Sequence, residues 1–480
     1  MLPDIAREHS RRVRARLIEA GLHDGATWRV SPAPFLLTPA DLAAIDSLGR
    51  HLLRFTRALN RLYYESVRGA QPRWAAEYLD QGKPSDLIDH ARMHRFKSAL
   101  PGVIRPDLIL TEDGFMISEL DSVPGGIGLT GCMAQAYADL GWSVTGGRNG
   151  MVEGFARMIR MLQPEITPNL AIVVSEEAKD YRPEMRWLAA RLREAGLPAE
   201  AVAPEDVTFT EDGLYLRETD AVTTLYRFFE LFDLKNIPKA ELLLYAVKQG
   251  RVAMTPPAKP WLEEKLAFAL LHHPALEPFW SQDLGEETFS LLRRCMPRTW
   301  ILDPRPVPPH AVIPGLTAEG RGVSDWKTVA GLGQKGRRFA LKPSGFSELA
   351  WGSRGVSVGH DLPQKEWADA IDGGLASFPT VPYILQEFRK GRRVAASWHD
   401  PVTDEIVPME GRVRLSPYYF VTGEVGAGGA PLAGPPPAMK VELGGILATV
   451  CPLDKKLIHG MTDAVMAPCA PLPSATMAAP

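Results

Sequence analysis

Between Thr38 and Val67, in TPADLAAIDSLGRHLLRFTRALNRLYYESV, apolar side chains recur at roughly helical spacing. Thr38 offers an N-cap and Pro39 sits at the first helical position, so residues 1–100 read as a largely helical segment. At Arg105 the period changes to two. RPDLILTEDGFMISELDSVP reads as a β-hairpin, followed by the Gly-rich GGIGLTG and a helix near 129–140. NLAIVVS (169–175) is a short buried-strand signal, RPEMRWLAARLREAGL a helix stopped at Gly196, and AEAVAP a returning strand: half of an open α/β domain. TFTEDGLYLRETDAVTTLYRFFELF adds a hairpin and an aromatic-rich strand end. After the Pro-rich joint TPPAKP (255–260) comes a helix, WLEEKLAFALLHH, then a loop-rich stretch over 303–323. RRFALKP and GVSVG flank a Gly/Ser loop, and YILQEF, GRVRLSPYYF and LGGILATV supply further strands.

These elements predict a mixed α/β (α+β) chain in four parts: a helical segment at 1–100, an α/β domain with the hairpin at 101–254, a second domain at 255–465, and a tail at 466–480. The tail is Pro/Ala-rich and is expected to be disordered. A length of 480 residues suits several lobes. A net charge of −3 gives no electrostatic reason for nucleic acid or an acidic membrane as a partner. Four cysteines stand far apart without a CxxC pair, which argues against structural zinc and a disulfide-dense secreted fold. The Arg-rich amino terminus lacks the apolar core of a signal peptide, and no run approaches the ~18 residues of a membrane span. The expected compartment is cytoplasmic.

The most informative chemistry lies between Arg105 and Asp121. With Glu112-Asp113-Gly114 as a three-residue loop, Thr111 pairs with Phe115, Ile109 with Ile117, Asp107 with Glu119, and Arg105 with Asp121. Alternation then places Arg105, Asp107, Glu119 and Asp121 on one face, and Leu108, Leu110, Met116 and Leu120 on the other. Opposed like charges destabilise a strand pair unless a cation neutralises them. Hard oxygen donors of this kind suit Mg²⁺ beside a phosphate-bearing substrate; a solvated hairpin is the plain alternative.

A second constellation is FALKPSGFSELAWGSRGVSVG. A strand delivers Lys342, and a Gly/Ser loop beginning at Ser344 and Gly345 can wrap phosphate oxygens with its amides. Gln386-Glu387-Phe388 ends the following strand as a hinge suited to bonding adenine through backbone atoms. Arg412 and Arg414 share one face of a strand, and their fork geometry fits phosphate or carboxylate oxygens. Gly126 to Gly131 formally matches GxGxxG, so an NAD(P)-dependent oxidoreductase is a rival reading, although Glu119 and Asp121 would repel a bare pyrophosphate.

Strand, Lys-Pro, Gly loop, strand and Q-E-F in this order look like an ATP-grasp fold. The pairs R-P-D (Arg105, Asp107) and E-L-D (Glu119, Asp121) resemble the Arg-x-Asp and Glu-x-Asn of glutathionylspermidine synthase-like proteins, with Asp121 in place of the usual Asn. The resemblance implies an ATP-grasp domain preceded by an open, preATP-grasp-like α/β domain, with ATP and Mg²⁺ as cofactors. It assigns Mg²⁺ to Asp107, Glu119 and Asp121, and the ATP site to Lys265, Lys342, Ser344, Gly345, Gln386, Glu387 and Phe388. It also assigns catalytic cations to Arg105, Arg412 and Arg414, and substrate contacts to Ser122 and Glu230. The implied activity is a carboxylate–amine ligase working through an acyl-phosphate on a small or peptide acid and an amine, with a homodimer as the candidate assembly. A non-catalytic nucleotide-binding protein on the same fold is the second rival.

Overall fold

The computed structural model describes residues 1–480 other than 122, 218, 424–438, 456–461 and 474–480, and at 351–353 the backbone alone. The helix expected in the first hundred residues spans Pro39–Val67 (α1). Thr38 caps it by accepting the Asp41 amide at 3.1 Å. Ile45, Leu48, Leu52, Phe55, Leu59 and Leu62 form its buried stripe. The stripe rests on a large sheet, so closely at Gly49 that a Cβ there would stand 2.6 Å from the Tyr419 ring.

The hairpin is present as β1 (Val103–Thr111) and β2 (Gly114–Asp121). Arg105↔Asp121 and Asp107↔Glu119 pair as expected, but nearer the turn the register differs: Leu108 faces Ile117, Ile109 faces Met116, and Thr111 faces Gly114. A bulge at Ser118 absorbs the difference. Ile117 therefore joins Leu108 and Leu110 in the core, all at 0% exposure. Met116, expected on that face, turns with Ile109 to the opposite one.

Beyond helix α2 (Ile127–Ala138), the open α/β unit is built from β3 (Leu170–Val174), helix α3 (Arg182–Glu194), β4 (Ala199–Val202), β5 (Thr224–Phe228) and β6 (Ala253–Thr255). The four strands are parallel in the order β6-β5-β3-β4. The single helix expected over WLEEKLAFALLHH is instead a 3-10 turn at Pro260–Glu263 and an α-helix at Leu266–His272, broken at Glu264 and Lys265. The antiparallel sheet that follows orders β7 (Thr299–Ile301), β10 (Tyr383–Glu387), β8 (Phe339–Pro343) and β9 (Ser357–Val358). Phe339, Leu341 and Leu385 point into a core with Trp326 and Trp367, which leaves Ala340, Lys342 and Gln386 on the other face.

The chain then returns to the large sheet through β11 (Arg393–Asp400), β12 (Glu405–Gly423), β13 (Met439–Pro452) and β14 (Val465–Pro471). β12 pairs with β11, β13 and β1, with Arg414 opposite Ile109 and Leu415 opposite Leu108. The hairpin and the carboxy-terminal strands thus form one sheet, and a boundary at residue 254 cuts across it. The disorder expected from Met466 is also overturned as far as Pro471: Met466, Ala467, Cys469 and Ala470 are at most 3% exposed and pair with β13 and with Arg29–Val30 and Phe35–Leu37. Small apolar side chains there fill a sheet position, which composition alone does not reveal. Residues 474–480 of that expected tail lie outside the described residues. Among the described residues, no helix is long and apolar enough to cross a membrane.

Candidate active site

The polar face of the β1–β2–β12 sheet, the Lys342 face of the antiparallel sheet and the end of β5 enclose a cavity of about 740 Å³. Arg105, Asp107, Glu119 and Asp121 line it, as do Lys265, Lys342, Arg412 and Arg414. The structure therefore brings the two sequence constellations together, although more than 200 residues separate Glu119 from Lys342.

Each of the three hairpin acids faces a cation. Asp107 is 3.4 Å from Arg105 and 3.2 Å from Arg414, and accepts a hydrogen bond from Ser416 Oγ at 3.0 Å. Asp121 is paired with Arg105 at 2.9 Å and accepts the Val123 amide at 2.9 Å. Glu119 is paired with Lys265 at 2.6 Å. Burial works to raise the Glu119 carboxyl, but the Lys265 and Lys342 ammonium groups outweigh it and hold the pKa below the usual range. Burial likewise works against charged Lys265, yet the Glu119 ion pair keeps its pKa above the usual lysine value, with Glu230 adding in the same sense. Asp121 goes the other way: burial raises its pKa, and the neighbouring Glu119 and Asp107 charges raise it further against the pull of Arg105.

Lys342 is buried to 9% exposure and donates to Gln386 Oε1 at 2.8 Å and to the Ser118 carbonyl, at the bulge, at 2.9 Å. Burial pulls its pKa down to about 8. The Gln386 side chain is committed to Lys342 and, at 3.3 Å, to Thr299. The amides of Glu387 and Phe388 donate at 2.8 Å to the Arg298 and Arg338 carbonyls. Gln386, Glu387 and Phe388 all line the cavity, followed by Arg389, Lys390 and Gly391, so among the backbone atoms expected to meet adenine these two amides are already engaged within the chain. Ser344 points away from the cavity to a buried bond with Glu264, while Gly345 lines it.

Glu230 also lines the cavity, at the end where Asp180, Tyr181, Phe228 and Glu263 gather. Ser122 lies outside the described residues. Arg412 Nη1 donates to the Leu453 carbonyl at 3.3 Å; the Nε atoms of Arg412 and Arg414 are buried with no hydrogen-bond partner among the described residues. Ser416 was legible in the same alternation as Arg412 and Arg414. Glu184 was not. It reaches from α3 to the amino end of α2 and accepts the amides of Gly126 at 2.7 Å and Leu129 at 3.1 Å. Burial lifts its pKa to about 7. A protein carboxylate thus fills the helix end that a dinucleotide pyrophosphate would use. Gly128 also packs within 2.2 Å (from a built Cβ) of the Glu184 carbonyl, so GGIGLTG is a packing motif.

The donors offered to a metal are all carboxylate oxygens, which suits a hard cation. In this structure they are turned to Arg and Lys partners, and among the described residues no group of three His, Cys, Asp or Glu side chains converges as a metal ion requires.

No protein-family model matches the chain, and no curated protein matches it. Among solved structures, the chain is similar to a glutathione synthetase-like effector from Globodera pallida, with a TM-score of 0.60 and 11% identity over 98% of each chain. A candidate gamma-glutamylcysteine synthetase from Methylobacillus flagellatus has a TM-score of 0.40 and 12% identity, over 87% of this chain and 84% of that one. The first likeness establishes a mixed α/β fold shared with that glutathione synthetase-like structure.

Proposed function

We propose that this chain is an ATP- and Mg²⁺-dependent carbon–nitrogen ligase, glutathionylspermidine synthase-like, that joins a carboxylate to an amine through an acyl-phosphate. The observation that carries the reading is the single cavity in which Lys265, Lys342, Arg105, Arg412 and Arg414 surround three carboxylates at the mouth of a Gly/Ser loop. Arg412 and Arg414 line the cavity, and their guanidinium forks suit the oxygens of a triphosphate.

ATP would lie with its base toward Phe388–Gly391 and its phosphates among the lysines and arginines. A substrate carboxylate oxygen attacks the γ-phosphorus and the bond to the ADP oxygen breaks. The amine nitrogen then attacks the acyl carbon, phosphate leaves and the amine gives up a proton. Fixed cations stabilise the charge spread over the moving phosphoryl group, and no enzyme nucleophile is required. A polyanion that draws on Lys265 and Arg414 would weaken their pairs with Glu119 and Asp107, Asp107 keeping Arg105 and Ser416. With Asp121 those two acids would hold Mg²⁺, which supplies further screening of the phosphate charge. The acidic, aromatic end near Glu230 and Tyr181 is where the amine-bearing substrate would sit.

The test is ADP release measured over a matrix of small peptides and polyamines. Release that needs both an acid and an amine, and that disappears in Asp107→Ala and Lys342→Ala, is the expected result. Nucleotide binding with no turnover on any pair would favour the non-catalytic reading. Turnover unchanged in both variants would remove the mechanism.

A further inference from the structure

Residues 263–265, at the break between the 3-10 turn and the helix, each grip a different part of the molecule. Glu263 pairs with the fully buried Arg227 on β5, and Lys265 with Glu119 on β2. Glu264 turns inward. Its Oε1 lies 2.8 Å from Lys83 Nζ, both side chains at 0% exposure, and accepts a hydrogen bond from Ser344 Oγ. Ser344 Oγ in turn accepts the Phe346 amide at 3.1 Å, and the Ser344 amide donates to the Pro382 carbonyl at 2.8 Å. The next residue, Gly345, sits so close to this segment that a Cβ would stand 2.0 Å from the Glu263 carbonyl oxygen.

Lys83 comes from the helical segment in which the sequence showed no chemistry, and it is clamped from its own side. Gln81 Nε2 donates to the Pro379 carbonyl at 2.8 Å. Gly82 has φ of +75°, and a Cβ on it would stand 2.0 Å from the Thr380 carbonyl oxygen. The Lys83 ammonium lies 5.8 Å from the centroid of the Phe346 ring.

We infer that Lys83 is a positioning residue for the phosphate loop, acting through a buried Lys83–Glu264–Ser344 relay that fixes where the loop leaves β8. A buried ion pair adds little stability over an apolar pair of similar volume, but it accepts few alternative geometries. Packing alone needs no charges here. The relay rests on the proposed ATP site only for its purpose; its effect on the loop does not depend on ligand.

Hydrogen exchange of the amides at 344–350 in ligand-free protein tests it. It is compared between wild type, Lys83→Met, and the double variant Lys83→Met/Glu264→Met, which leaves no lone buried charge. The expected result is exchange about tenfold faster at 344–350 in both variants, with β8 and β10 unchanged. In parallel, KM for ATP rises about tenfold while kcat changes little, the pattern of lost ground-state binding, and Lys83→Arg restores part of it. Loop exchange equal to wild type in the folded double variant, or faster only in step with the whole chain, would overturn the relay. Wild type that neither binds nor turns over ATP would remove the ligase reading, and the exchange result would still decide the relay.

Discussion

Asp107 is held by Arg105 two residues before it and by Arg414 and Ser416 some three hundred residues on. Replacing it with Ala takes from the largely buried Arg414 guanidinium the carboxylate it pairs with, and leaves Arg105 with Asp121 alone. Asp107→Ala should therefore lose ~3 kcal/mol or more of unfolding free energy, read by urea denaturation. Asp107→Asn keeps an oxygen for Ser416 and should lose distinctly less. Lys342 makes a different prediction. With its pKa pulled to about 8 by burial, the side chain is a cation below that pH and neutral above it. Affinity for an anionic nucleotide should fall as pH rises through about 8, and Lys342→Arg, which stays charged, should flatten the profile. A titration identical in the two proteins would count against Lys342 as a phosphate contact. At this scale the sequence was readable where alternation applies: the opposed acids, the two arginines and, in retrospect, Ser416. Glu184 and Lys83 were not readable, because their partners Gly126 and Glu264 lie far along the chain with no periodic signal joining them.

The hairpin shows how an element can be read correctly for the wrong local reason. A three-residue loop with regular alternation and a two-residue loop with a bulge at Ser118 both pair Arg105 with Asp121 and Asp107 with Glu119. The acidic half of the ribbon is the same either way; Phe115, Met116 and Ile117 distinguish the two. The bulge has a use, since the Ser118 carbonyl it turns out is an acceptor for Lys342. Deleting Ser118 regularises the ladder and leaves the other cross-strand pairs possible, so the far-UV spectrum and the melting curve should stay close to wild type. ATP turnover should drop by about tenfold or more, because bulges beside active sites re-aim the groups around them. A variant with full turnover would show that the bulge is incidental. The helix around Lys265 was misread because WLEEKLAFALLHH has helical composition throughout. Tertiary pairing of Glu263, Glu264 and Lys265 with three separate elements overrides that propensity.

At the scale of the whole molecule, the cavity exists because the chain leaves the large sheet after β2, builds the parallel and the antiparallel four-stranded sheets among others, and returns to it through β11 and β12. Division by composition missed this, since a sheet completed from both ends of the chain has no local boundary signal. The last strand, Val465–Pro471, was missed for a related reason: its worth lies in the neighbours it pairs with. What the sequence did convey was the mixed α/β class and the two sets of charged residues. It could not show that both sets face one space, which only the joined sheets establish. Whether this space seats Mg²⁺·ATP on Lys342, as proposed, is decided by isothermal calorimetry. The expected result is saturable one-site binding of Mg²⁺·ATP to the wild-type chain that is lost in folded Lys342→Ala. No binding to wild type, or equal binding to both proteins, would contradict it.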